Sequence, residues 1–328
     1  MTPFLHRTRE VREAGEAALA PAATRSTASR GRVRPEEPDP HRTCFERDRD
    51  RILHSKAFRR LKHKTQVFID PVGDHFVTRL THALQVTQVA RALAAGLGLN
   101  EPLAEAIALG HDVGHSPFGH TGEEALSPYV DGGWHHAAQS VRIYEVLEDA
   151  NLTWEVRDGI RAHSWKIDPP PATPEGACVR FADRIAYLSH DTLDALRAGV
   201  LSEGDLPPAV SAHLGRPGSQ WVSTMVRAVI EHTAAGGELA MAPETAGIMG
   251  ELRTFLFDRV YQSRRTEEQR QAVMRVIGDL VEHHLAHPDA IPETYRDAAS
   301  DPRTQTVDYV AGMTDRYALA LHARLTNR

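Results

Sequence analysis

Cysteine is scarce: Cys44 and Cys178 are the only two in 328 residues. Two thiols cannot build a disulfide framework, and they exclude a four-cysteine zinc or iron-sulfur site. Long apolar runs are missing as well, since none approaches the ~18–20 residues needed to cross a bilayer. Residues 1–20 mix arginine and glutamate without an apolar stretch of signal-peptide type, so the expectation is a reducing cytoplasm and no membrane contact. The balance of 41% hydrophobic and 25% charged residues excludes disorder along the whole chain and a coiled-coil rod. At ~150 residues per domain the length suggests two domains.

Histidine is what the chain has in excess, with 19 residues. Charge is unevenly placed. The net value is −6, yet residues 1–66 hold 16 Lys/Arg against 9 Asp/Glu. A basic N-terminal quarter on an acidic body points either to phosphate nearby or to a solvated arm with paired charges.

Residues 20–40 have almost nothing to bury and read as a mobile or wrapped arm. Residues 45–61 look helical and very basic. Two short strands around a Pro71/Gly73 turn are expected within 65–78, nearly the only strand signal present. Helical periodicity governs the rest. Helices are expected over 79–97, from Asn100 to Gly110-His111, and over 136–150, 154–162, 176–198, 220–235, 243–261, 267–286 and 306–325. The fold class is therefore all-α, a helical array with at most a small β-hairpin near residues 64–78.

The chemistry concentrates in His111-Asp112-Val113-Gly114-His115-Ser116-Pro117-Phe118-Gly119-His120-Thr121-Gly122-Glu123. An adjacent histidine and aspartate at a helix end can both turn to one cation, which then needs ligands from other helices. His82 shares a helix face with Val86, Val89 and Leu93 and so points inward. Asp183 heads a stripe with Tyr187, Asp191 and Asp194 that is either a solvated surface or part of the site. Two histidines and two aspartates with open positions suit Mn, Fe, Mg, Co or Ni better than a closed zinc site, and the matching chemistry is metal-assisted hydrolysis. His6, His41, His213, His232, His283, His284, His287 and His322 read as core or surface imidazoles.

The order His82, His111-Asp112, Asp183 resembles the HD-domain phosphohydrolase superfamily. More closely, the chain resembles the deoxyguanosinetriphosphate triphosphohydrolase-like family. The strings carrying the likeness run from Ser29-Arg30-Gly31-Arg32 through residues 47–55, 57–61 and Lys64-Thr65-Gln66-Val67 to residues 308–315.

The resemblance implies that His82, His111, Asp112 and Asp183 bind a divalent metal. It makes His120 catalytic, with Glu123 orienting it, and has His115 and His136 line the phosphates or assist catalysis. Arg79 would meet the triphosphate, Tyr187 and Asp191 the deoxyribose, Gln66 the sugar and Arg253, eight residues before Tyr261, a phosphate; Tyr261 joins the substrate-binding set. Arg184 stands where many relatives carry a second Asp and adds a cation for phosphate; Ala137 stands where they carry Asn. The implied domains are an arm over 1–40, an HD-type core over 41–200 and a C-terminal helical part over 201–328 packing on the core.

The expected reaction is hydrolysis of a deoxynucleoside triphosphate, dGTP or several dNTPs, to deoxynucleoside and inorganic triphosphate. Other readings are a different HD reaction (5′-nucleotidase or phosphodiesterase) and a non-catalytic nucleotide- or nucleic-acid-binding regulator. Family analogy adds a homo-oligomer, commonly a hexamer, and single-stranded DNA or a nucleotide as activator, with the basic segment 47–64 either lining the pocket or binding that activator.

Overall fold

Several helices begin where short polar side chains take up the free amides of a first turn. Thr78 accepts from the Thr81 amide, Asn100 from Leu103 with Pro102 just inside, and Thr173 from Gly176 ahead of its own Pro174. The computed structural model describes residues 4–67, 75–261, 267–296 and 299–326. Among these it has fifteen α-helices. The first eight are α1 (Arg9–Gly15), α2 (Cys44–His54), α3 (Lys56–Arg60), α4 (Arg79–Gly96), α5 (Glu101–Gly110), α6 (His120–Leu126), α7 (His136–Arg142) and α8 (Trp154–Ala162). They are followed by α9 (Pro174–Arg197), α10 (Pro208–Leu214), α11 (Ser219–Gly236), α12 (Pro243–Leu256), α13 (Glu267–Ala286), α14 (Pro302–Ala311) and α15 (Asp315–Thr326). The all-α class holds. The expected hairpin is reduced, among the described residues, to one antiparallel bridge between Thr65 and Thr78; its turn falls in residues 68–74, outside them.

Two expected helices are each broken in two. The helix over 45–61 divides at Ser55, whose backbone turns extended while its Oγ accepts from Phe58 N at 3.0 Å, so that α3 is capped afresh. The helix over 306–325 divides after Gly312, where a Cβ would lie 2.5 Å from the Tyr295 hydroxyl. The helices expected over 136–150 and 243–261 end in single π turns at Ile143–Leu147 and Phe257–Tyr261.

α4 packs between α5 and α9, and α2 and α8 close on α5. Ile52, Val86, Leu93, Leu103, Ile107 and Ile185 form the centre of this core and are fully buried. Each such side chain contributes about 1.5–3 kcal/mol by leaving water. A second cluster, around Phe118, Leu126, Ile277, Leu280 and Val310, joins α6 to α13 and α14. The segment from 111 to 123 therefore runs between two cores.

The arm is wrapped. Thr24 donates through its amide and hydroxyl to Glu175, and Ser29 Oγ and Arg30 N donate to Glu155, so each contact binds the first turn of a helix. The Arg30 guanidinium lies 3.6 Å over the Trp154 ring. Much of the basic charge is spent inside the chain: Arg32 meets Asp48, Arg42 meets Asp39 and Asp50, and Arg47 and Arg51 meet Glu36. Among the described residues no helix is long and apolar enough to cross a membrane.

Candidate metal centre and catalytic site

α4 carries Arg79 and His82, the end of α5 leads into His111-Asp112, and α9 carries Asp183. The segment after Asp112 is held by close backbone approaches. Gly114 leaves no room for a Cβ, which would sit 2.3 Å from His136 O and Ser140 N. Its amide donates to Ser140 Oγ (2.9 Å), and that hydroxyl donates to His111 O (2.8 Å). Phe118 adopts a φ of 63°, rare for a residue with a Cβ; its buried ring and its amide bond to Asp315 Oδ1 (3.0 Å) sustain it.

Four expected ligands converge. His82 Nε2 lies 3.3 Å from Asp183 Oδ1 and 3.6 Å from Asp112 Oδ2. His111 Nε2 lies 3.4 Å from Asp112 Oδ1 and 3.9 Å from Asp183 Oδ1. His111 Nδ1 donates to Ala108 O at 2.7 Å, so its Nε2 is the bare nitrogen; it is buried and has no hydrogen-bond partner. A lone pair aimed at two carboxylates inside a core is repulsive unless a cation sits among them. The donor set of imidazole and carboxylate, and this orphaned nitrogen, fit a divalent metal. Burial pushes the Asp112 carboxyl up, but His115 and Arg79, which both touch it, oppose burial, and it is held well below its usual range. Burial keeps His82 toward the neutral form that a ligand requires.

Glu123 is the second focus. Its Oε1 lies 2.6 Å from His115 Nδ1 and 3.3 Å from His136 Nδ1, and its Oε2 lies 3.0 Å from His120 Nδ1. His115 also reaches Asp112 Oδ1 at 3.0 Å and stacks on His136 at 3.9 Å. Burial and Arg79 push His115 down, yet Asp112 and Glu123 raise it overall. Burial and the charge of His115 push His136 down to about 4. His120 differs from its neighbours: its side chain is 72% exposed, with only Nδ1 tied.

The remaining expected residues take several places. Arg79 Nη1 donates to Asp112 Oδ2 at 2.9 Å, so this arginine is engaged on an expected metal ligand. Arg184 lies 4.3 Å over the Trp165 ring with its Nε buried and unpartnered. Burial raises the Tyr187 phenol, opposed by the charges of Arg184 and Arg253 beside it. Tyr261 OH donates to Asp191 Oδ2 at 2.6 Å. Gln66 keeps a buried Oε1 without a partner. Lys64, in the segment expected to line the pocket, is instead buried and donates to the carbonyls of His115 and Ala311. Asp308 accepts from Gln139 and Arg142, and Asp315 from Thr65 and Phe118, so the string 308–315 braces the site.

Two buried histidines were not anticipated. His163 Nε2 lies 3.2 Å from His136 Nε2, and its ring meets that of His111 edge-on; burial pushes it down to about 3. His190 Nε2 lies 2.8 Å from His82 Nδ1. The second was legible, since position 190 shares a helix face with Asp183 and Tyr187; the first, just past the end of α8, carries no such signal.

Comparison with known proteins places the chain in a family. The HD domain model matches residues 79–188 and the phosphohydrolase-associated domain model matches 239–324. A fold and site of this kind define an HD-domain hydrolase. The chain is 49% identical over 307 residues to a deoxyguanosinetriphosphate triphosphohydrolase-like protein of Caldanaerobacter subterraneus subsp. tengcongensis, covering 92% of this chain and 90% of that one. It is 45% identical over 305 residues to the protein of that name from Clostridium perfringens, covering 89% of each. The chain belongs to the deoxyguanosinetriphosphate triphosphohydrolase-like family. The solved structure of a hypothetical protein from Aquifex aeolicus shares the fold, with a TM-score of 0.50 at 18% identity over 86% of this chain and 68% of that one.

Proposed function

We propose that the protein hydrolyses deoxynucleoside triphosphates to deoxynucleoside and inorganic triphosphate. One observation carries the reading: the bare, unpartnered Nε2 of buried His111 faces the carboxylates of Asp112 and Asp183, beside an exposed histidine held at one nitrogen by Glu123. His82, His111, Asp112 and Asp183 would hold a divalent ion, of which Mn, Mg, Fe, Co and Ni all suit the donor set. Such an ion, when bound, lowers the pKa of a water and polarises a phosphoryl oxygen.

The chain's own residues supply the rest. Water attacks the α-phosphorus and the bond to the 5′-oxygen breaks. Glu123 fixes His120 Nδ1, leaving Nε2 to deliver its proton to the departing oxygen, a step worth typically ~10²–10⁴-fold for an alkoxide leaving group. His115, held between two carboxylates, and Arg184 present positive charge to the triphosphate. Tyr187, Asp191 and Tyr261 would face the deoxyribose, with Gln66 and Arg253 at the margins. Substrate arrives from the nucleotide pool of a cytoplasm, and a homo-oligomer is the expected assembly.

Product identity tests the reading. Metal-loaded protein is incubated with each dNTP, singly and mixed, and both products are resolved by chromatography. Deoxynucleoside with intact triphosphate is expected; release of pyrophosphate or orthophosphate, or no turnover, overturns it.

A further inference from the structure

The two ring nitrogens of His82 face different neighbours. Nε2 looks toward Asp183 and Asp112, and Nδ1 lies 2.8 Å from His190 Nε2. His190 brings its Nδ1 within 2.9 Å of Asp191 Oδ1, off the line of a hydrogen bond, and both of these buried atoms are otherwise unpartnered. The other oxygen of Asp191 accepts from Tyr261 OH at 2.6 Å. One placement of protons keeps lone pair from facing lone pair at every close approach in this run. A carboxylate accepts only, so the proton of His190 belongs on the Nδ1 that faces Asp191, and its Nε2 is a lone pair. His82 must then donate through Nδ1, which leaves His82 Nε2 bare toward Asp183. The opposite tautomer of His190 sets a bare nitrogen against the Asp191 carboxylate.

We propose that His190 is a positioning residue: through the run Tyr261, Asp191, His190 it fixes the tautomer and ring angle of His82, and so sets the affinity of the centre for its metal. Asp191 thereby has a second task besides any contact with substrate. The inference rests on reading His82 as a metal ligand and does not depend on which nucleotide is cleaved. An outer partner that fixes a histidine ligand in this way commonly controls 10–100-fold in metal affinity.

The test is a Mn²⁺ titration of the full, metal-stripped chain without nucleotide, following free Mn²⁺ by its electron paramagnetic resonance signal. His190→Gln places an amide oxygen near the position of the imidazole Nε2 and keeps an acceptor for His82; His190→Asn is too short to reach, and His190→Phe has no acceptor. Gln is expected to bind within a few-fold of wild type, while Asn and Phe lose about 10–100-fold. The Gln–Asn pair decides the matter if Phe fails to fold, with circular dichroism checking each variant. Equal affinity for Asn and wild type overturns the positioning role, as does an equal loss for Gln and Asn. Failure of wild type itself to bind Mn²⁺ or any other divalent ion overturns the metal centre and this role with it. A wrong substrate class leaves the titration unchanged.

Discussion

Replacing Glu123 by Gln removes a negative charge touched by three imidazoles, at 2.6 Å (His115), 3.0 Å (His120) and 3.3 Å (His136). The carboxylate is hydrogen-bonded to His120 and lies at ion-pair distance from the other two rings, whereas an amide offers one oxygen and turns an NH₂ toward another ring. At least one contact becomes donor against donor. If His120 delivers the proton, kcat falls by about 10²–10³-fold, within the usual worth of a general acid. That corresponds to about 2.7–4 kcal/mol of barrier. Metal affinity stays unchanged, because no Glu123 oxygen belongs to the groups gathered around His82 and His111. The pH profile adds a signed expectation. Asp112 and Glu123 raise His115 against burial and Arg79, so it stays protonated to higher pH than an ordinary imidazole. Losing one of the two carboxylates lowers that pKa, and the alkaline limb of activity moves toward acid. Steady-state kinetics across the neutral range at saturating metal, with calorimetric metal titration, measure both. Unchanged kcat, or a loss of turnover matched by an equal loss of bound metal, refutes the assignment.

The metal should stabilise the fold, because it removes the confrontation of His111 Nε2 with Asp112 and Asp183. At a free concentration 100 times its Kd it adds about 2.7 kcal/mol, and scanning calorimetry with and without Mn²⁺ should show Tm higher by several degrees; no shift counts against a native centre. Arg142→Ala strips the bidentate partner from Asp308, a buried carboxylate otherwise left with Gln139 alone. Breaking a buried pair costs about 3–5 kcal/mol; the 27% exposure of Arg142 reduces this to about 2–3, read as a lower urea midpoint, and an unmoved midpoint contradicts the bracing role of the 308–315 string.

Much of the helical framework was legible because its signals are local. Asn100 with Pro102 marks the start of α5, and apolar spacing carries α4 and α9. Local signals failed where a distant group intervenes. Apolar spacing over 306–325 does not show the break at Gly312, nor that the Tyr295 hydroxyl lies where a Cβ of that residue would stand. Nor does a basic run 47–64 reveal that its arginines meet Glu36 and Asp50, or that Lys64 is turned inward to hold the His115 and Ala311 carbonyls.

For the site, residue types and spacing limited the chemistry that was available: imidazoles and carboxylates in family order, almost no thiols to compete for a metal, and a helix face that turns His82 inward, while the stripe of Asp183 stayed open between surface and site. Packing between helices set which neighbour each group meets. It set Glu123 among three histidines, drew Arg79 onto Asp112, and brought His190 against His82 across 108 residues of chain. The physical reason is that the proton on an imidazole is assigned by whatever faces its other nitrogen. That neighbour comes from packing between helices, which spacing along one helix does not encode.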